Sequence, residues 1–109
     1  MISSLSNATV KATVRLQKRR ERDRRGSFLV EGRRAVAAAL SAGVQLHEVF
    51  HLQGADASKP IVETAARSGA TLHEVSPAVM AHLTDLRHPP DVLAVAPLHP
   101  RTPAETMRG

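Results

Sequence analysis

The sequence contains no cysteine, tryptophan or tyrosine, and only two phenylalanines, Phe28 and Phe50. Without cysteine there is no disulfide framework, no thiolate zinc site and no cysteine nucleophile. So few aromatics argue against a platform on which bases of a single strand could stack, and both phenylalanines fall in segments that read as core strands. No basic-then-apolar leader opens the chain, and no stretch approaches the roughly 18 apolar residues that a membrane span requires. These absences predict a soluble, cytoplasmic domain with no membrane partner. With 109 residues, the chain suffices for one core and not for two.

What is present is a 42% apolar composition in which Ala supplies 17 residues and most of the rest are Leu and Val. That mixture suits close-packed helix and sheet layers. The charge is unevenly spread. Residues 1–34 carry ten Lys/Arg against Glu21, Asp23 and Glu31, a net of +7, whereas residues 35–109 carry five against seven, a net of −2. A basic end on a near-neutral body is the footprint of a polyanion binder, because clustered cations gain from releasing counterions. The cations are mostly Arg, whose planar fork suits phosphate. A solvated charged helix without a ligand would share the composition.

Asn7 can cap a basic helix over 7–25 on which Lys11, Arg15, Lys18 or Arg19, and Arg22 recur three or four residues apart as one stripe, with Arg24 and Arg25 beyond. Gly26 ends it. Ser27–Glu31 reads as a buried strand, Gly32 as a turn, and Arg33–Ala42 as a helix stopped by Gly43. The alternation continues with a strand at Leu46–Leu52, a helix at Ser58–Ser68 with Pro60 in its first turn, and a strand at Thr71–Val75. Ser76-Pro77 then signals a short helix to Leu83, and a last strand runs to Ala96. Such alternation predicts an α/β layered domain with part of its sheet parallel. The body spans 27–97, and the Pro-rich 98–109 reads as a linker or tail.

Asn7-x-x-Val10-Lys11, Leu16, Arg20-x-Arg22 and Gly26-x-Phe28-Leu29-Val30-Glu31-Gly32 carry a resemblance. In order and spacing they resemble the N-terminal substrate-binding domain of SpoU-type (SPOUT superfamily) RNA 2′-O-ribose methyltransferases. The likeness extends over about residues 2–97, with one departure: Pro89-Pro90-Asp91 stands where the family usually has Pro-Gln-Gly. The resemblance implies a three-layer α/β/α sandwich with a small mixed sheet, like the ribosomal proteins that bind kink-turn RNA. It implies a structured RNA partner, with ribosomal RNA the expected one, held for a catalytic domain missing from this chain. That domain would bind S-adenosylmethionine in a knot and form the homodimer. The motifs of that knot are absent here, so the chain itself is expected to bind no cofactor and to catalyse nothing, with the parent protein as the enzyme. The alternative is a free-standing protein that binds structured RNA without enzymatic activity.

The expected RNA contacts are Lys11, Arg15, Lys18, Arg19, Arg22, Arg24, Arg25 and Arg33, positioning phosphates while the fold reads shape. Glu31 at a strand end has no partner acid, histidine or nucleophile at a matching spacing. A pairing with Arg33 or Arg34, or capping of the next helix, is expected of it instead. His47 and His51 share a strand face but stand roughly 13 Å apart, and His73, His82, His88 and His99 show no ligand spacing, so no metal is expected. Gly26 and Gly32 lack the Lys-Ser/Thr end of a phosphate loop. Phe28, Val30 and Phe50 are expected in the core.

Overall fold

The computed structural model describes residues 1–98, so all but the first residue of the expected tail, with His99, lies outside the described residues. Its elements are α1 (Ala8–Val14), α2 (Arg19–Arg25), β1 (Ser27–Glu31), α3 (Arg33–Ser41), β2 (Glu48–Leu52), α4 (Lys59–Arg67), β3 (Thr71–Val75), α5 (Pro77–Leu83) and β4 (Val92–Pro97). Single 3-10 turns lie at Arg15–Gln17 and Asp56–Ser58. No helix among the described residues is long and apolar enough to cross a membrane.

The sheet is mixed, in the order β1-β4-β2-β3. β2 and β3 are parallel, while β4 runs antiparallel to both β1 and β2. Side chains alternate between faces along a strand, and two apolar clusters result. On one face Phe50, Val75, Leu93 and Val95 meet Val10, Leu16, Val79, Met80 and Leu83 from the α1 and α5 side. On the other, Val30, Val49, Val92, Ala94 and Ala96 meet Val36 of α3 and Ala65 of α4. β4 lies between two strands and under both layers, so Val92 to Ala96 are all buried. This is the expected three-layer α/β/α sandwich.

Local signals explain most boundaries. The Asn7 side chain accepts from the amides of Thr9 and Val10 at the start of α1, and Ser76 Oγ accepts from the Val79 amide at the start of α5. Gly32 turns β1 into α3 with φ 95° and ψ 159°, a region essentially closed to residues with a Cβ. Asp91, in place of the family's glycine, is no strain: no non-glycine residue among those described has positive φ. Its carbonyl accepts from the Leu52 amide at 2.8 Å, and its carboxylate lies 3.6 Å from Arg33.

Three expectations need correction. The basic segment is not one helix over 7–25, because Lys18 is extended (φ −97°, ψ 129°) and separates α2 from α1 and its 3-10 turn. Val10, Thr13 and Leu16 keep the first part against the body. The apolar spacing ends there, and nothing anchors a straight continuation. β2 begins at Glu48, so His47 precedes the strand although its amide still bonds the Val95 carbonyl. Phe50 is fully buried and Val30 nearly so, whereas Phe28 on edge strand β1 is only half-buried.

Candidate nucleic-acid interface

The eight expected contact residues are spread over α1, the turn after it, the break at Lys18, α2 and the start of α3. Lys11 lies in α1, Arg15 in the 3-10 turn and Lys18 at the break. Arg19, Arg22, Arg24 and Arg25 lie in α2, and Arg33 opens α3. Lys11, Arg15, Lys18, Arg19, Arg20, Arg24 and Arg25 are exposed, and Arg22 is half-buried. Arg20 lies outside the contact set expected from the sequence, although its exposure and its place in the arginine block match those of Arg19.

Partners divide these cations. Lys11, Arg15, Lys18 and Arg20 form no ion pair among the described residues. Arg19 has only a loose pair with Asp23 at 3.8 Å. Arg24 donates through Nε and Nη2 to both oxygens of Glu21, at 3.0 and 2.8 Å, and its hydrogen bonds hold the Glu21 carboxyl below the usual carboxylate range. Arg22 and Arg25 spend donors on backbone carbonyls instead. Exposed pairs of this sort are screened by solvent, so the charge on this segment does little for stability.

A second basic group sits at the start of α3. Arg33 and Arg34 occupy its first turn, where the helix dipole disfavours cations, and no side chain caps that end. They line an open groove of about 890 Å³ with Glu31, Gly32, Ala35, Ala38, Ala57 and Ile61. A smaller groove of about 300 Å³ is lined by Arg22, Phe28, Leu29, Glu31 and Asp85 among others. Glu31 borders both, so the structure places Arg33 and Arg22 on either side of it.

Glu31 itself pairs with neither Arg33 nor Arg34 and caps no helix. It accepts a hydrogen bond from the Thr84 hydroxyl, which in turn accepts from the Leu86 amide. The tie pins the loop after α5 to the end of β1, and a contact across 53 positions has no local signal. Arg33 turns to Asp91.

The histidines are dispersed. His73 stacks on Phe50 with ring centroids 4.9 Å apart and meets the Glu48 carboxylate. His51 stands opposite Glu74 in the register, and burial pushes its pKa below the ordinary 6.5 while Glu74 opposes the shift. No group of His, Asp and Glu among the described residues could hold a metal ion.

The groove at the start of α3 presents two guanidinium groups, and its one carboxylate, Glu31, accepts from Thr84, so it offers no free anion to the sulfonium of S-adenosylmethionine.

Residues 7–94 match the family model for the MRM3-like substrate binding domain. Among solved structures, an RNA 2′-O ribose methyltransferase is 32% identical, with a TM-score of 0.77 over 94% of this chain and 39% of its own. An rRNA methyltransferase from Sinorhizobium meliloti matches at TM-score 0.78 and 23% identity, over 90% of this chain and 36% of its own. The SpoU methyltransferase AviRb from Streptomyces viridochromogenes, solved with the cofactor AdoMet, matches at 0.72 and 24%, over 90% and 38%. The last two likenesses are of fold. The chain thus spans well under half the length of these proteins. No curated protein sequence matches it significantly.

Proposed function

Because the chain belongs to the MRM3-like substrate binding domain family, we propose that it grips a structured RNA, ribosomal RNA in particular. It holds that RNA for an S-adenosylmethionine-dependent 2′-O-ribose methyltransferase domain of the same protein, working as a homodimer in the cytoplasm. The carrying observation is the set of exposed cations without carboxylate partners, Lys11, Arg15, Lys18 and Arg20, on a segment whose charge does not serve its own stability. Arg19 and Arg33, each in a loose pair, complete the contact surface. These side chains hold phosphates in register, and the rigid sandwich supplies the shape that selects a folded RNA. Methyl transfer belongs to the partner domain, and no step of it is assigned to residues of this chain.

The test sets two charge reversals of equal size against each other. Lys18→Glu with Arg20→Glu is expected to weaken binding to a kink-turn hairpin RNA and to flatten its salt dependence. Lys59→Glu with Arg67→Glu, on the far helix, is expected to weaken it much less. Both pairs should leave stability within about 0.5 kcal/mol, since they are surface changes. Binding measured across a salt series, with circular dichroism as control, decides. Equal losses from the two pairs would reduce the basic segment to general electrostatic attraction.

A further inference from the structure

α2 is a helix without an apolar anchor. None of its seven residues is buried. A helix this short and this polar has no stability of its own, since nucleation is costly and no face packs. Besides a long bond from Ser27 Oγ of β1 to the Arg25 carbonyl at 3.5 Å, two arginines tie it to the preceding segment. One turn in, Arg22 reaches back across the extended Lys18, and its Nη1 donates to the carbonyls of Leu16 at 3.1 Å and Gln17 at 2.9 Å. At the last residue, Arg25 Nη1 donates to the Ala12 carbonyl in α1.

These carbonyls suit the task. Leu16 and Gln17 close a helical segment, so they lack the amide partners that a continuing helix would supply. One guanidinium can serve two of them because its donors are fixed in a plane. The far side of the splice is firm. Leu16 is buried in the core, and Gln17 Nε2 donates to the His82 and Leu83 carbonyls at the end of α5. A chain of hydrogen bonds therefore runs from α5 through Gln17 and Arg22 into α2.

Resting on the RNA reading above, we infer that Arg22 and Arg25 are positioning residues of that interface and not phosphate contacts. They clasp α2 to α1 at a set angle, and so fix where Lys18, Arg19 and Arg20 are displayed. Without the clasp, the ordering of α2 is charged against RNA binding. The two kinds of arginine then differ in how their loss is felt. Removing a phosphate contact changes the number of counterions released. Removing a clasp lowers affinity equally at every salt concentration.

The experiment takes Arg22→Gln, Arg22→Lys and Arg20→Gln, reading amide hydrogen exchange of the free chain and affinity for a kink-turn hairpin RNA across a salt series. In Arg22→Gln the amides of 19–25 are expected to exchange at least about tenfold faster, with the sheet amides unchanged. Its affinity is expected to fall about tenfold with the salt slope kept. Arg22→Lys, which retains the charge and a donor, should recover part of both. Arg20→Gln should leave exchange alone and flatten the slope by roughly 0.7–0.9. If Arg22→Gln instead leaves exchange unchanged and flattens the slope, Arg22 is a phosphate contact and the inference is overturned. If exchange rises but neither Arg22→Gln nor Arg20→Gln alters RNA affinity, the positioning role is overturned through the RNA reading, and the clasp is only structural.

Discussion

The sheet body and the α1–α2 arm are held in place by different forces. In the body, Phe50, Leu93, Val49 and Val92 are sealed between sheet and helices on the two faces. In the arm, α1 and its 3-10 turn bury Val10, Thr13 and Leu16, but α2 buries nothing and hangs on arginine–carbonyl hydrogen bonds. Apolar burial is non-directional and adds up over many contacts, so the body tolerates imprecision at any one of them. A few directional bonds set an angle and leave the remaining charges in solvent. The difference separates stability from charge display: one region holds the apolar core, the other most of the exposed cations.

Phe50→Ala tests the body most severely. The ring is fully buried and stacked on His73, and its loss is expected to cost about 3–5 kcal/mol in denaturant unfolding. A cost below about 1 kcal/mol would mean that the body does not rest on this cluster.

Gly32→Ala addresses a turn within the body, where β1 enters α3 beside the cation groove. A Cβ there would meet no heavy atom within 4 Å, yet φ is 95°. The expected loss of about 1–3 kcal/mol therefore comes from backbone conformation alone. Unchanged thermal unfolding would show that the turn relaxes freely.

The smallest effect concerns His51. Burial disfavours its charged form in the folded chain, with Glu74 opposing. As pH falls below about 6.5, the unfolded chain therefore takes up the proton first, and stability declines until the folded-state pKa is passed. Melting curves at pH 7.5 and pH 5 should show that decline, and His51→Gln should reduce it. An identical decline in the variant would remove His51 as a source of the acid sensitivity.

Legibility in the sequence followed the same division. Thr71–Val75 and the helix after Ser76-Pro77 were readable to the residue because a cap, a proline and a run of apolar residues all lie within a few positions. Phe28 packs against the cluster on the α3 and α4 side, as its strand pattern suggests, but is only half-buried there. Only the sheet order, which puts β1 at an edge, reveals its partial exposure. The arm misled for the opposite reason. Polar and helical propensity run unbroken through Lys18, and nothing nearby announces the turn. At the candidate interface, the concentration of cations was plain, but the division between displayed and engaged arginines was not.

The layered α/β character, the positions of most elements and the basic character of the N-terminal segment follow from local sequence alone. Periodicity, caps and net charge are local quantities and survive without a fold. The order β1-β4-β2-β3, the break at Lys18, the Glu31–Thr84 tie and the backbone bonds of Arg22 and Arg25 came only with the assembled fold. Most of these depend on groups that the chain brings together from a distance, as when Gln17 meets the Leu83 carbonyl across 66 positions. Hydrogen bonds are short-ranged and directional, so which arginine is engaged is settled only when the backbone carbonyls have taken their places.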